Sequence, residues 1–205
     1  MPHHDAVAAR VREGARDWRH TRTERLLLDA YDPADLPALG ALHADARVWR
    51  HFPSGRHHDL ARTAATVAAD AAWWARDGLA PWSVRLAAAG PGSPVVGRVG
   101  CSVPDGRPWW NVYYRLAPAV HGAGLALEAA RHAVAAAYDV DPARPVLAFL
   151  VEHNVGSRRT AEALGLRLVR RGPDVGNPDA DAVRLVFLDR DPTPEVEAAL
   201  ARLTV

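Results

Sequence analysis

Two groups of residues in this chain have types and spacings that could do chemistry. The first is His121-Gly122-Ala123-Gly124-Leu125-Ala126. It follows an aromatic, strand-like run, Trp109 to Leu116, that ends at Pro118, and it opens an alanine-rich stretch of high helical propensity. Two glycines two residues apart let the backbone approach a ligand closely. The first turn of a helix adds unpaired NH groups and the positive end of its dipole, a combination that suits a phosphate. The second group is Glu152, His153, Asn154 and Ser157, just past the apolar run Pro145 to Val151. Glu152 can accept a proton directly or through water, and histidine is the residue type that titrates near neutral pH. Ser157 is placed to cap a short helix that ends at Leu164-Gly165, where Gly165 suits a left-handed C-cap. Asp105 and Asp174 are further carboxylates that sequence alone does not rank as bases.

The remaining reactive residue types lack partners at ligand spacing. His3 and His4 have no further ligand nearby, and His57 and His58, close to His51, point to different sides of a helix or turn, so no metal is expected. Cys101 sits in the apolar run Val95 to Val103, which reads as a buried strand in a protein of a reducing compartment.

The elements that must position these groups follow from pattern. With 205 residues, 49% of them apolar, the chain can bury one sizeable core. Residues 1–20 read as a polar extension with a short helix around Ala6 to Trp18, residues 21–190 as one domain, and residues 191–205 as a closing helix that begins at Thr193-Pro194-Glu195. Strands are expected at Arg25 to Tyr31, Trp82 to Ala88, Val95 to Val103, Trp109 to Leu116, Pro145 to Val151, Leu166 to Arg170 and Val183 to Leu188. Helices are expected from Pro33 to about Ala46, from about Leu60 to Gly78 with apolar steps of four and three, and from the glycine turn to about Tyr138. This order predicts an α/β (α+β) fold with one mixed, mostly antiparallel sheet of about seven strands and helices on both faces. A net charge of +1, with every one of the 25 basic residues an arginine and none forming a run, gives no reason to expect nucleic acid. No segment approaches the ~20 apolar residues of a membrane span, and a cytoplasmic protein without a membrane partner is expected.

In this order, the residues resemble the GNAT superfamily of acyl-CoA N-acyltransferases, and within it the branch of ribosomal-protein N-terminal acetyltransferases. The resemblance covers roughly Thr23 to Leu188. Thr23-Glu24-Arg25-Leu26-Leu27-Leu28 looks like the opening strand of that branch, and Val96-Gly97-Arg98-Val99-Gly100 like its strand with two glycines. His121 to Ala126 falls where the family has Gln or Arg, then two residues, Gly, one residue, and Gly or Ala. Asn154-Val155-Gly156-Ser157 with Leu164-Gly165-Leu166 is similar to the family's Asn, Ser and Leu-Gly-Phe segment.

The resemblance implies a V-shaped split between the fourth and fifth strands and acetyl-CoA (coenzyme A) as cofactor. Its pyrophosphate would lie on His121, Gly122, Ala123, Gly124, Leu125 and Ala126, and its pantetheine arm would run past Leu116 and Ala117, with Asn154 on the arm and Ser157 near the thiol. It also implies acetyl transfer to a primary amine, a peptide or small molecule, with His51, Phe52, Trp82 and Tyr113 as acceptor contacts; Trp73, Trp74, Trp109 and Trp110 are further aromatic candidates, and a homodimer is left open. His121 replaces the family's Gln or Arg and lacks the arginine fork. Ala161 stands where many relatives place an acidic Tyr, so Ser157 becomes the candidate acid and Glu152 or His153 the candidate base. An amine near a pKa of about 7.7 is easier to use than a lysine near about 10.4, by about 3.6 kcal/mol. Two other readings compete. A dinucleotide-binding module is disfavoured because the third glycine of its fingerprint falls on Leu127 and the acidic Glu152 comes too late. A non-catalytic acyl-CoA-binding or partner-binding domain is the second.

Overall fold

The computed structural model describes residues 16–202. His3, His4 and most of the expected helix around Ala6 to Trp18 lie outside the described residues, and so does the side chain of Asp105.

The chain opens with β1 (His20–Arg22) and β2 (Leu26–Ala30), and Asp32 then accepts from the Ala34 amide at 2.7 Å to start a single 3₁₀ turn. That turn runs into α1 (Leu36–Ala44), and Asp59 caps α2 (Leu60–Asp77) on the Arg62 amide. Next come β3 (Trp82–Leu86), β4 (Gly97–Ser102) and β5 (Trp110–Leu116), then α3 (Leu125–Val140) and β6 (Val146–Val151). The chain continues through α4 (Val155–Ala163), β7 (Arg167–Pro173), β8 (Val183–Leu188) and α5 (Pro194–Ala201).

The described strands form one eight-stranded sheet in the order β1-β2-β3-β4-β5-β6-β8-β7. The strand beyond the expected seven is β1, three residues long and too polar to read as a strand, held at the edge by antiparallel pairing of His20 to Arg22 with Asp29 to Leu27. All pairings are antiparallel except β5 with β6.

Helices cover both faces. α3 lays Ala129, Ala130, Ala133, Ala136 and Ala137, all wholly buried, against Val99, Cys101, Trp110 and Val112. A stripe of methyl groups lets that helix sit close to the sheet, and each buried carbon contributes roughly 0.8 kcal/mol. Burial pushes the Cys101 thiol up, so it packs as a small apolar side chain. On the other face α1 and α2 pack through Leu39, Leu42 and Val67. There Arg98 of β4 donates to Asp70 of α2, Nε to Oδ2 at 2.6 Å, with both side chains buried. α5 closes the far end, with Val196, Ala199 and Leu200 on Trp109, Leu147, Val186 and Leu188.

The feature that positions the site is the short ladder between β5 and β6. They pair in parallel only at Trp110 with Val146 and Asn111 with Leu147. From Val112 onward β5 has no ladder to β6, while β6 remains paired with β8 as far as Val151.

Candidate functional site

β5 ends at Leu116 at one lip of this split, and a 3₁₀ turn, Pro118–Val120, delivers the chain to the glycine loop. Gly122 and Gly124 have φ of 80° and 76°, left-handed values that an L side chain adopts only at a cost. Gly124 is the N-cap of α3 and offers no side chain to the first-turn amides, which are left for an anion. An added Cβ at Gly122 would meet nothing within 4 Å.

Two side chains brace this loop. His121 donates from Nε2 to the Leu116 carbonyl at 2.8 Å, so it ties the loop to the end of β5 instead of reaching outward. Arg25, from the start of β2, donates from Nη1 to the Ala123 carbonyl at 2.8 Å and from Nε to Glu128 at 2.6 Å. Burial raises the Glu128 carboxyl, but hydrogen bonds from Thr23 Oγ1 and from the Arg25 amide and guanidinium outweigh it and hold Glu128 below the usual carboxylate range. The opening Thr23-Glu24-Arg25 therefore acts on the loop a hundred residues away, a role its sequence position does not reveal.

At the other lip, Asn154 follows β6 and is the cap of α4. Its side chain accepts from the Ser157 amide at 3.1 Å. This corrects the expectation that Ser157 is the cap: Ser157 lies inside the first turn, and its hydroxyl has no partner among the described residues. The Ser157 carbonyl accepts from the Tyr114 hydroxyl at 3.0 Å, which ties β5 to α4. Burial pushes Tyr114 up to about 12. Ala161 is wholly buried, and Gly165 (φ 82°) ends α4 with bonds from the Gly165 amide to Glu162 and the Leu166 amide to Ala161.

The candidate bases part company. Glu152 is gripped by Arg171, with Oε1 at 2.7 Å and Oε2 at 2.9 Å, and that hydrogen bonding holds its carboxyl below the usual range. A carboxylate so held is a poor proton acceptor. Asp174 is buried and paired with Arg184, with Asn177 donating to its other oxygen at 2.8 Å. His153 turns Nε2 to the His51 carbonyl at 3.1 Å, so that nitrogen carries a hydrogen and Nδ1 is left for another partner. His51 lies beside it, ring centroids 5.5 Å apart, with Arg50 Nε donating to its Nε2 at 3.0 Å. Burial, then Arg50 and His153, lower the His51 pKa.

Along β5 the side chains alternate. Asn111, Tyr113 and Arg115 face α1 and α2, while Val112, Tyr114 and Leu116 face α3. Arg98 lies 4.5 Å over the Tyr113 ring, and Phe52 packs with Trp49 over Gly55. Trp82 is wholly buried on the α3 face, its Nε1 donating to the Trp18 carbonyl at 2.7 Å, so an acceptor cannot touch its ring. Trp74, Trp109 and Trp110 are likewise core, and Trp73 is half-buried against it. His57 is buried too, stacked 4.4 Å from His43 and bonded through Nδ1 to Thr63 Oγ1 at 2.8 Å. Phe149 of β6 stays 48% exposed, with Arg184 5.2 Å over its ring. Among the described residues no three His, Cys, Asp or Glu side chains gather as metal ligands would, and no helix is long and apolar enough to cross a membrane.

Comparison with known proteins bears on this geometry. The family described as the acetyltransferase (GNAT) domain matches residues 25–167. Among solved structures, an acetyltransferase from Agrobacterium tumefaciens is 25% identical with a TM-score of 0.67, covering 84% of this chain and 94% of that one. A GNAT-family acetyltransferase from Bacillus anthracis is 18% identical with a TM-score of 0.69, covering 82% and 96%. RimL, a ribosomal L7/L12 α-N-protein acetyltransferase in complex with coenzyme A, is 16% identical with a TM-score of 0.64, covering 82% and 97%.

Proposed function

Since the chain belongs to the GNAT acetyltransferase family, we propose that it transfers the acetyl group of acetyl-CoA directly to a primary amine, an α-amine at a peptide N-terminus or on a small molecule. The observation that carries this reading is the parting of β5 and β6 after Asn111, immediately beside the left-handed glycine loop. Edges of diverging strands leave backbone groups that an amide-bearing arm can satisfy as an added strand would.

Bound there, acetyl-CoA supplies an activated acetyl group as a thioester. The amides of Gly122 to Ala126 hold the pyrophosphate, with Arg25 as the neighbouring cation, and Leu116, Ala117 and Asn154 line the path of the arm. His153 Nδ1 takes the proton from the attacking amine, and the Ser157 hydroxyl offers a hydrogen bond to the departing sulfur. His51, Phe52 and Tyr113 bound the approach of the acceptor. Glu152, tied to Arg171, keeps the lip of β6 in place and remains ionised.

The test is thiol release from acetyl-CoA against peptide α-amines, small amino compounds and lysine side chains, with cofactor binding measured separately. Release with α-amines supports the reading. Binding without release on any amine would favour a non-catalytic acyl-CoA-binding domain, the reading to which the buried Ala161 and the captured Glu152 otherwise lend support.

A further inference from the structure

We propose that Arg115 is an anion subsite for the acceptor: the amine that this protein acetylates carries a carboxylate, which docks on the Arg115 guanidinium. The inference rests on the transferase reading above and adds the acceptor's chemistry to it.

Several buried or half-buried arginines are neutralised by carboxylates: Arg85 pairs with Asp35, Arg98 with Asp70, Arg184 with Asp174, and Arg190 with Asp189. Arg56 and Arg107, half-buried too, have no carboxylate pair among the described residues, but Arg56 Nε donates to the Ala44 carbonyl at 2.6 Å and Arg107 lies over the Trp109 ring. Arg115 is half-buried as well, and no carboxylate among the described residues pairs with it. Its centre lies 3.3 Å over the Trp49 ring and 5.6 Å from that of Tyr113, its Nη1 reaches the Val48 carbonyl only at 3.4 Å, and its buried Nε has no partner. A guanidinium stacked on an indole in this way keeps its edge donors free for a carboxylate, which it binds with two parallel hydrogen bonds.

Its place fits an acceptor. Arg115 faces α1 and α2, away from the α3 face of the sheet. Continuing the parallel register from Asn111 and Leu147 sets Arg115 level with Val151, two residues before His153. The loop from Val48 to His51 touches both lips of the split, Arg115 through Val48 and Trp49 and His153 through the His51 carbonyl. The charged and titratable groups around Arg115 are Arg98, already paired with Asp70, and His43 and His57, whose pKa values are lowered by burial first and then by neighbours that include Arg98 and Arg115. That field welcomes an anion and repels a second cation on the acceptor.

Two sources supply the same chemistry: a free α-amino acid, or a peptide with an acidic side chain beside its terminal amine. The native protein is assayed by thiol release with each α-amino acid against its amide, and with peptides beginning in Asp against peptides beginning in Asn. A preference in kcat/KM of about ten- to a hundredfold for the acid is expected in one pair, and which pair shows it identifies the source. Arg115→Met is expected to collapse that preference toward unity, and Arg115→Lys to keep part of it, with thermal melts reporting the fold of each. Equal turnover of acids and amides by the native protein, or a preference untouched in either variant, would overturn the subsite while leaving the transferase standing. Turnover of no amine at all, with acetyl-CoA bound, would overturn the transferase and the subsite with it.

Discussion

Gly124→Ala isolates what the glycine loop contributes. An added Cβ there would have Arg25 Nη2 as its nearest neighbour, at 3.7 Å, which is ordinary van der Waals contact. Space is therefore not the obstacle. The cost comes from φ of 76°, a left-handed backbone that an L residue adopts at about 1–2 kcal/mol. The protein can absorb that cost in two ways. If the loop keeps its shape, the loss appears in global stability, about 1–2 kcal/mol by urea unfolding. If the loop relaxes, the amides at the start of α3 turn away and coenzyme A affinity falls about five- to thirtyfold for the same energy. Calorimetric titration with coenzyme A beside urea unfolding measures both, and the two losses together should equal the strain. Gly124→Asn is the control, since Asn tolerates the left-handed region better than Ala despite its larger side chain. Native stability with native affinity in Gly124→Ala would refute the argument that left-handed geometry makes the cradle. A greater loss of affinity in Gly124→Asn than in Gly124→Ala would show that crowding, not backbone shape, sets the limit.

Two other predictions follow from particular side chains. Because Asn154 and not Ser157 caps α4, Ser157→Ala should leave the unfolding free energy within about 0.5 kcal/mol of native while lowering turnover about tenfold or more; native turnover in a steady-state thiol assay would remove Ser157 from the chemistry. His43 is buried with neither ring nitrogen partnered, and burial foremost, then Arg98, His57 and Arg115, push its pKa down to about 3. A depressed folded value means that the unfolded chain binds the proton first, so stability present above about pH 6.5 is lost as pH falls toward 3, with a slope of up to roughly 1.4 kcal/mol per pH unit. Urea unfolding between pH 7 and 4.5 should show this slope in the native protein and a shallower one in His43→Leu, and parallel curves would count against it.

The parts of the fold that the sequence makes legible are those in which local signals and burial agree. The alanine-rich helix α3 and the left-handed Gly165 each follow from residue type and spacing, and both recur in the structure. Misreadings arise where partners come from far along the chain. The family resemblance points to Trp82 as an acceptor contact, but the Trp18 carbonyl across the sheet edge and the wholly buried face of α3 make it core. Arg25 looks like the polar start of a strand, and only the fold brings it to Ala123 and Glu128. Ser157 loses the cap to Asn154 because α4 already begins at Val155, and Asn154 Oδ1 accepts from the Ser157 amide in the first turn.

Proton chemistry shows most clearly how such a distant partner changes function. By residue type Glu152 and His153 are both base candidates, and nothing local predicts that Arg171 of β7 will grip both oxygens of Glu152. With that carboxylate held low, the proposed mechanism gives proton removal to His153, whose ring is oriented by the bond from Nε2 to the His51 carbonyl. Proton removal by one imidazole, without a carboxylate behind it in the described residues, favours an acceptor that is already neutral in part. An α-amine near a pKa of about 7.7 meets that condition better than a lysine side chain near about 10.4, by about 3.6 kcal/mol. The same side of the split presents Arg115 without a carboxylate partner. A free α-amine with a carboxylate close to it satisfies both demands at once, because the anion that docks on Arg115 also brings the amine to the lip where His153 stands.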